Sequence, residues 1–446
     1  MKIIIAGAGA VGTHLAKLLA NEKQDIILMD ENEERLGKLG NNFDLMTVNI
    51  SPTSISGLKE AGTANADLFI AVTPNESQNM TACMLASGLG AKKTVARIDN
   101  YEYLLPKYQE FFAQRGVHSL IYPEMLAAKD IVDAVKMSWI RQWWEFAGGA
   151  LVLLGTKMRE TAEILNIPLY ELGGRNIPFH IVAIKRGNET IIPRGDDSIL
   201  LNDIVYFTTT KKYIPYIRKI SGKESYADVR NVMIMGGSRI AVRTVQYMPE
   251  YMRTKIIEND LARCNRLTEL VDDKVMIING DGRDLDLLTE EGIQNTEAFV
   301  ALTGSSETNI LACLAAKRMG VSKTVAQVEN IDYISMAESM DIGCVINKKF
   351  IAASHIYQMM LDADVSNVKC LTFANADVAE FTVKADARIT HTQVKDAGLP
   401  KGATIGGLIR NGEGILVTGN TTIQENDHVV VFCLNMMIKK LEKFFN

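Results

Sequence analysis

Short apolar runs alternate with longer amphipathic stretches from the first residues onward. The runs Lys2–Ala6, Asp25–Met29, Leu45–Val48, Leu68–Val72 and Thr94–Arg97 are expected strands. They lack apolar–polar alternation, the mark of strands buried on both faces of a sheet. Between them, Val11–Ala20 and Ser77–Leu89 carry helical spacing. Gly88 and Gly90 close one expected helix, and Gly320 closes its equivalent in the second half. Strand–helix–strand alternation of this kind predicts parallel βαβ units.

The pattern then recurs. Asp67–Thr73 matches Glu297–Thr303, Asn79–Ala86 matches Asn309–Ala316, and Lys93–Arg97 matches Lys323–Gln327. The offset holds near roughly 230 residues, as in a duplicated unit. Each sheet unit is followed by an apolar helical stripe, 124–136 in the first half and 350–360 in the second. Such a stripe covers either ordinary core or a subunit interface. Beyond each stripe lies a smaller β-rich stretch. Ile181–Gly187, Ile191–Gly195 and Asp203–Phe207 pair by pattern with Ile405–Gly412, Ile415–Gly419 and Asp427–Phe432. The expected fold class is α/β, with two Rossmann-like, doubly wound parallel-sheet domains, each followed by a small α+β domain. The expected boundaries are 1–123, a connector 124–145, 146–225, 229–348, a connector 349–368, and 369–446.

Composition narrows the classes. At 446 residues, 47% hydrophobic and 23% charged, the chain is globular and multidomain. A net charge of −5 with no Lys/Arg stripe speaks against a nucleic-acid partner. The six cysteines are scattered and show no metal spacing, so they are expected as buried apolar residues in a reducing compartment. No apolar run has the length of a membrane helix. A strand at Lys2–Ile5 leaves no room for a signal peptide, so any work at a membrane is expected to run through a partner.

The chemistry sits after the first strand of each half. Gly7-Ala8-Gly9-Ala10-Val11-Gly12 follows a four-residue strand, and Asp30 ends the next one. Gly7 makes the turn, Gly9 admits a pyrophosphate to the helix N-terminus, and Gly12 permits close helix–strand packing. Asp30 is placed to accept from both ribose hydroxyls, which favours a free 2′-hydroxyl. In the second half, Gly236-Gly237-Ser238-Arg239-Ile240-Ala241 has lost two of the three glycines, while Glu258 keeps the acidic position. A Cβ at 238 is expected to narrow the pyrophosphate approach. The second site binds a smaller nucleotide, binds weakly, or stays empty. After the third strand the second half has Gly280-Asp281-Gly282, whose Asp281 is suited to an adenine amino group. The first half has Ile50-Ser51-Pro52 there. Arg97, at the carboxyl edge of the sheet, either binds a terminal phosphate bidentately or pairs with a surface acid, and Gln327 replaces it in the second half.

Catalytic machinery does not emerge. Tyr103 and Lys107 have dehydrogenase-pair spacing, but Pro106 interrupts the helix that would align them. The six histidines form no cluster, and His14, on the helix after the glycine loop, is expected to be structural. No lysine of the P-loop type follows either glycine loop. An NAD-dependent oxidoreductase would need an acid–base group beside the nicotinamide, and none is apparent.

The doubled four-part order resembles the duplicated RCK arrangement (regulator of K⁺ conductance). More narrowly, it is similar to the family of cytosolic regulatory subunits of bacterial Trk potassium uptake systems. The similarity runs through Gly7, Gly9, Gly12, Asp30, Ala71-Val72-Thr73, Asn79 and Ala96-Arg97. In the second half it runs through Glu258, Gly280-Asp281, Ala301-Leu302-Thr303 and Asn309–Ala312. It implies a regulator, not an enzyme, that binds NAD(H) or ATP/ADP in its first Rossmann-like unit. It also implies self-assembly into a dimer or tetrameric ring beneath a membrane-embedded, Trk-type potassium channel subunit on the cytoplasmic face. The implied nucleotide-binding set is Gly7, Ala8, Gly9, Ala10, Val11, Gly12, Asp30, Thr73, Asn75 and Arg97, with Gly236, Glu258, Asp281 and Thr303 in the second unit. A nucleotide-sensing subunit of another cation transporter or antiporter fits the same residues.

Overall fold

The computed structural model describes residues 1–20, 24–40, 45–173, 177–187, 189–360, 365–371, 376–434 and 438–446. Within these, the side chain of Cys370 and those of Gln358 and Met360 on the second helical stripe lie outside the described set, as does residues 361–364 of the expected second connector.

Two sheets are parallel. The first comprises β1 (Lys2–Ala6), β2 (Asp25–Asp30), β3 (Met46–Asn49), β4 (Leu68–Ala71), β5 (Lys93–Arg97) and β6 (Ser119–Ile121), in the spatial order β3-β2-β1-β4-β5-β6. Its central strands are apolar: Ile3, Ile4, Ile5, Phe69 and Ile70 are fully buried, as helices on both faces require. The order reverses between β1 and β4, and that switch point opens a crevice at the carboxyl edge. The first small domain is antiparallel, with β7 (Gln142–Phe146), β8 (Leu151–Lys157), β9 (His180–Arg186), β10 (Glu189–Ile191) and β11 (Ile204–Thr209), ordered β10-β9-β11-β8-β7.

The remaining strands repeat both designs. β12 (Asn231–Met235), β13 (Arg253–Glu258), β14 (Met276–Asn279), β15 (Ala298–Ala301), β16 (Lys323–Gln327) and β17 (Cys344–Ile346) form a parallel sheet in the order β14-β13-β12-β15-β16-β17. β18 (Val365–Leu371), β19 (Ala376–Thr382), β20 (Ala403–Arg410), β21 (Glu413–Ile415) and β22 (His428–Leu434) form the antiparallel sheet β18-β19-β22-β20-β21. The architecture is thus α/β, with two Rossmann-like sheets and two smaller antiparallel ones.

Two details depart from the sequence reading. β7 starts at Gln142, inside the stretch taken as a connector, because Trp143 and Phe146 turn to the core of a sheet. Of the β-rich segment Ile191–Gly195 only Ile191 is in a strand, the last residue of β10, and Pro193 soon removes a backbone donor.

The chain divides into two compact units. One holds residues 1–126 together with 348–362, and the other holds 127–347 together with 363–446. The helix Lys348–Met360 therefore packs within the first unit although it follows the second parallel sheet. There it meets the helix Ala10–Ala20, with the His14 and Phe350 rings 4.1 Å apart. Phe350, Ala352, Ala353, Ile356 and Tyr357 of the apolar stripe are buried within this unit.

In the other unit the two antiparallel sheets share one core, where Phe146, Leu151 and Tyr206 meet Val378, Val430 and Phe432. Gly406 permits this close approach, since a Cβ there would lie 2.8–2.9 Å from Phe432, Thr208 and Val182. Each small domain is also tied by one buried carboxylate. Asp203 accepts from Arg186 at 3.0 and 2.8 Å, and Asp427 from Arg410 at 2.8 and 2.7 Å. The five cysteines with described side chains, Cys83, Cys264, Cys313, Cys344 and Cys433, are buried.

His14 has a consequence for acid stability. Burial, with Lys17 adding to it, pushes its imidazole down to about 4. The folded state resists protonation, so stability is present above the unfolded value and drains as pH falls from about 6.5 towards 4. The loss is on the order of 2–3 kcal/mol. His14→Gln is expected to flatten this limb of a urea-denaturation pH profile; an unchanged limb contradicts the assignment.

Candidate functional site

β1 leads into the glycine loop because Gly7 adopts φ +114°, a conformation a side chain disfavours. The turn also demands closeness: a Cβ on Gly7 would sit 2.9 Å from the Thr73 amide nitrogen. Asp30, at the end of β2, then holds the loop. Its Oδ2 accepts the Ala8 amide at 2.6 Å and its Oδ1 accepts the Asn32 amide at 2.8 Å. Gly9 faces open space, while a Cβ on Gly12 would collide with the Gly7 carbonyl oxygen. Ala10 begins the following helix and Val11 is buried beneath it. The loop thus presents a helix N-terminus to the crevice, a position that stabilises anionic groups.

Across the switch point, Asn79 organises the opposite wall. This buried amide accepts from the Thr73 backbone at 2.9 Å and hydroxyl at 2.7 Å, and donates to the Thr73 and Arg97 carbonyls at 3.0 and 2.9 Å. It fastens the ends of β4 and β5 together. Asn75 caps the helix Glu76–Gly88 by accepting the Gln78 amide at 3.0 Å. Glu76 accepts the Asp99 and Asn100 amides at 2.5 and 2.6 Å. Arg97 is 19% exposed and stands 3.7 Å from Asp99, and its buried Nε has no hydrogen-bond partner. Both alternatives for Arg97 therefore leave a trace: an acid lies nearby, and part of the guanidinium is unsatisfied.

The second unit repeats the construction with other residues. Gly236 has φ +98°, and Glu258 reaches back so that its Oε2 accepts the Gly237 amide at 2.7 Å and its Oε1 the Asp260 amide at 2.9 Å. Thr303 and Asn309 reproduce the Thr73–Asn79 strap, and Asn309 donates to the Gln327 carbonyl at 2.8 Å. Ser238 was expected to narrow the pyrophosphate approach. Its hydroxyl caps the helix Arg239–Tyr247, accepting the Ala241 amide at 3.4 Å, and the residue lines an open crevice. A cavity of about 380 Å³ is lined there by Gly236, Ser238, Glu258, Asp281, Thr303 and neighbouring residues. That lies within the range of small-molecule sites, roughly 300–1,000 Å³.

Two arginines in this cavity escaped the sequence reading. Arg263 lies 3.6 Å from Glu258, and Arg283 forks onto Asp281 at 2.6 Å. The forked hydrogen bonds from Arg283 hold the Asp281 carboxyl below its ordinary value. The signal for Arg263 was present: Asn32-x-x-Arg35 and Asp260-x-x-Arg263 occupy the same register after each acidic strand end. Tyr103 and Lys107 fall on separate helical turns, Tyr101–Leu104 and Pro106–Ala113, with Tyr103 packed on Phe112 and Lys107 over the Tyr108 ring.

Two parallel sheets, each with a glycine turn braced by the acid of the next strand, define a tandem Rossmann-like protein with paired antiparallel modules. The TrkA-N domain model matches residues 3–123 and 232–348, and the TrkA-C domain model matches residues 378–446. Over 457 aligned residues the chain is 31% identical to the Trk system potassium uptake protein TrkA of Halomonas elongata, covering 100% of this chain and 98% of that one. The corresponding protein of Vibrio alginolyticus is 31% identical, covering 98% of this chain and 96% of its own. The chain belongs to the TrkA family. Among solved structures it resembles the GsuK RCK domain, with a TM-score of 0.61 at 14% identity over 100% of this chain and 94% of that one. It also resembles a GsuK channel bound to NAD, with a TM-score of 0.60 at 14% identity over 100% and 78%. Those two likenesses establish the RCK-type fold.

The differing loops make a stability test. Gly12→Ala must push against the Gly7 carbonyl and is expected to cost about 1–3 kcal/mol in denaturant unfolding. Ala241→Gly, where the loop already holds a methyl group, is expected to cost only about 1 kcal/mol. Equal, small effects at both positions would contradict the packing described for the first loop.

Proposed function

We propose that this chain is a nucleotide-sensing regulatory subunit of a membrane potassium uptake system. The observation that carries the reading is the doubled loop-and-acid geometry at the two switch points, Asp30 on Ala8 and Glu258 on Gly237. Each carboxylate oxygen has a second lone pair directed away from the backbone it already holds, which suits ribose hydroxyls. The family supplies the physiological setting, since the curated relatives are named as potassium uptake proteins of the Trk system. The NAD bound to the GsuK channel supports a nicotinamide or adenine nucleotide as ligand class. Among the described residues no helix is long and apolar enough to cross a membrane, which agrees with action through a membrane-embedded partner.

In this reading NAD(H) or ATP/ADP occupies the crevice, with its phosphates over the amides of residues 8–12 and its ribose on Asp30. Thr73 and Asn75 form the facing wall. The second crevice, with Gly236, Glu258, Asp281 and Thr303, takes a nucleotide of the same class, and its arginines add charge for phosphates. Subunits assemble as a dimer or tetrameric ring against the cytoplasmic side of the channel subunit. A nucleotide shifts the channel only by the difference in its affinity for the ring states.

Calorimetric titration of NADH, NAD, ATP and ADP tests the ligand. Asp30→Asn keeps an acceptor for the Ala8 amide but removes the charge, and is expected to weaken nucleotide binding by roughly tenfold or more. An unchanged affinity in both Asp30→Asn and Glu258→Gln would sink the reading. Arg97→Ala is expected to weaken ATP more than NADH, because its unsatisfied guanidinium is assigned to the terminal phosphate; equal losses would return Arg97 to a purely structural pairing. Co-purification from solubilised membranes identifies the partner, and recovery of an antiporter in place of a potassium channel subunit would redirect the transport assignment.

A further inference from the structure

The second parallel sheet has another cavity at its opposite edge. It spans about 980 Å³ and opens at the amino ends of the strands, where Asn231 starts β12, Lys323 starts β16 and Cys344 starts β17. The glycine loop and its crevice lie at the carboxyl ends, so the two sites are separated by the length of the sheet. The far wall comes from the first antiparallel domain and its approaches, with Arg141, Lys157 and Arg159. All of these residues belong to one compact unit.

Its charge is lopsided. Six cationic side chains line it: Arg141, Lys157, Arg159, Lys223, Lys317 and Lys323. Four of them, Arg141, Lys157, Arg159 and Lys317, converge on the single carboxylate of Asp341. Glu297, also in the lining, spends an oxygen on the Arg230 and Asn231 amides at 3.0 and 2.7 Å. Lys223 and Lys323 are each 3% exposed. Lys323 donates to the Ile140 carbonyl and lies 3.1 Å from the Cys344 sulfur, while Lys223 donates to the Tyr226 hydroxyl at 3.2 Å and lies over the face of that ring.

Two signs mark the excess of positive charge: the one shared carboxylate is held strongly ionised, and burial with cationic neighbours disfavours a charged Lys223. Burial alone would raise the Asp341 carboxyl, yet the charges of Arg141, Lys317 and Arg159 outweigh it and hold it well below the usual carboxylate range. Burial, then Arg159 and Arg141, pushes the Lys223 ammonium down to about 8. A structural ion cluster would match its charges; this one leaves most of its cations facing a space large enough for a ligand. Its cost is relieved by an anion that accepts several charge-assisted hydrogen bonds at once.

We propose that this cavity is a binding site for a small polyanion carrying two or more phosphate groups, distinct from both nucleotide crevices. Its walls come from two domains, so occupancy fastens the second Rossmann-like sheet to the first antiparallel domain through added bridges beside Asp341. Free pyrophosphate and the phosphates of a nucleotide share this chemistry.

The probe is inorganic pyrophosphate, titrated calorimetrically into the full-length protein, with ATP and orthophosphate as separate arms. Pyrophosphate is expected to bind saturably and more tightly than orthophosphate, weakening as salt rises. The double substitution Lys157→Gln with Lys223→Gln is expected to weaken pyrophosphate by roughly tenfold or more while leaving NADH unchanged. Asp341→Asn removes the competing carboxylate and is expected to tighten pyrophosphate, a change in the opposite direction that a merely structural cluster would not produce. If the double variant does not fold, Lys223→Gln alone and Asp341→Asn still decide the matter. ATP that competes with pyrophosphate here, and loses affinity in the double variant, names a nucleotide as the source; ATP indifferent to it names a free polyphosphate. No pyrophosphate binding, or binding unaffected by all of these substitutions, overturns the proposal.

Discussion

A carboxylate at the end of the second strand, accepting a backbone amide from the turn after the first, is the contact on which each half of this molecule depends. Asp30 holds Ala8 and Glu258 holds Gly237 in the same way. Without that bond the turn has no fixed distance from the neighbouring strand, and the helix that follows has no fixed aim. With it, the helix N-terminus points into the crevice at the switch point, and Thr73 or Thr303 faces it from the other side. The strap formed by Asn79 or Asn309 completes the frame, since one buried amide adds side-chain bonds at the carboxyl ends of two strands already paired in the ladder. Charge-assisted hydrogen bonds to backbone amides are among the stronger local contacts a loop can have.

Much of this was legible in the sequence. Uninterrupted apolar runs separated by helical patterns announced parallel sheets, and the recurrence of Asn79–Ala86 as Asn309–Ala316 announced duplication. The glycines and Asp30 marked the turn after β1 because each step there needs a particular residue: a positive φ at Gly7, and room at Gly9. The second site was harder to judge. A serine replacing a glycine looked like an obstruction, because a one-dimensional pattern does not show that Ser238 turns its hydroxyl onto the helix it begins. The arginines of the second cavity were hidden for a related reason. Arg263 shares a register with Arg35, but it meets Arg283 only when the carboxyl ends of β13 and β14 come together.

Long-range pairing was beyond reach altogether. The helix Lys348–Met360 lies far from Ala10–Ala20 in sequence, and only the fold shows that it fills the first unit's core. The same holds for Asp341, whose four cationic neighbours come from three separate places in the chain. Periodicity reports which face of an element is apolar; it does not report which distant element covers that face. Duplication adds to the difficulty, because equivalent residues acquire different surroundings: Lys93 and Lys323 both open a fifth strand, yet the first is exposed and the second is buried beneath a neighbouring domain.

The two edges of the second sheet divide the chemistry. Its carboxyl edge offers a helix N-terminus and an acid, suited to a nucleotide; its amino edge offers a surplus of buried cations. The central claim remains the first of these, that the braced glycine loops are nucleotide sites. Amide hydrogen exchange, read residue by residue with and without saturating NADH or ATP, tests it most directly. The account predicts slowed exchange at the amides of residues 8–12, and in the matching loop 237–241 where the second crevice is filled. Unchanged exchange in both loops, at a nucleotide concentration shown to saturate the protein, would contradict it.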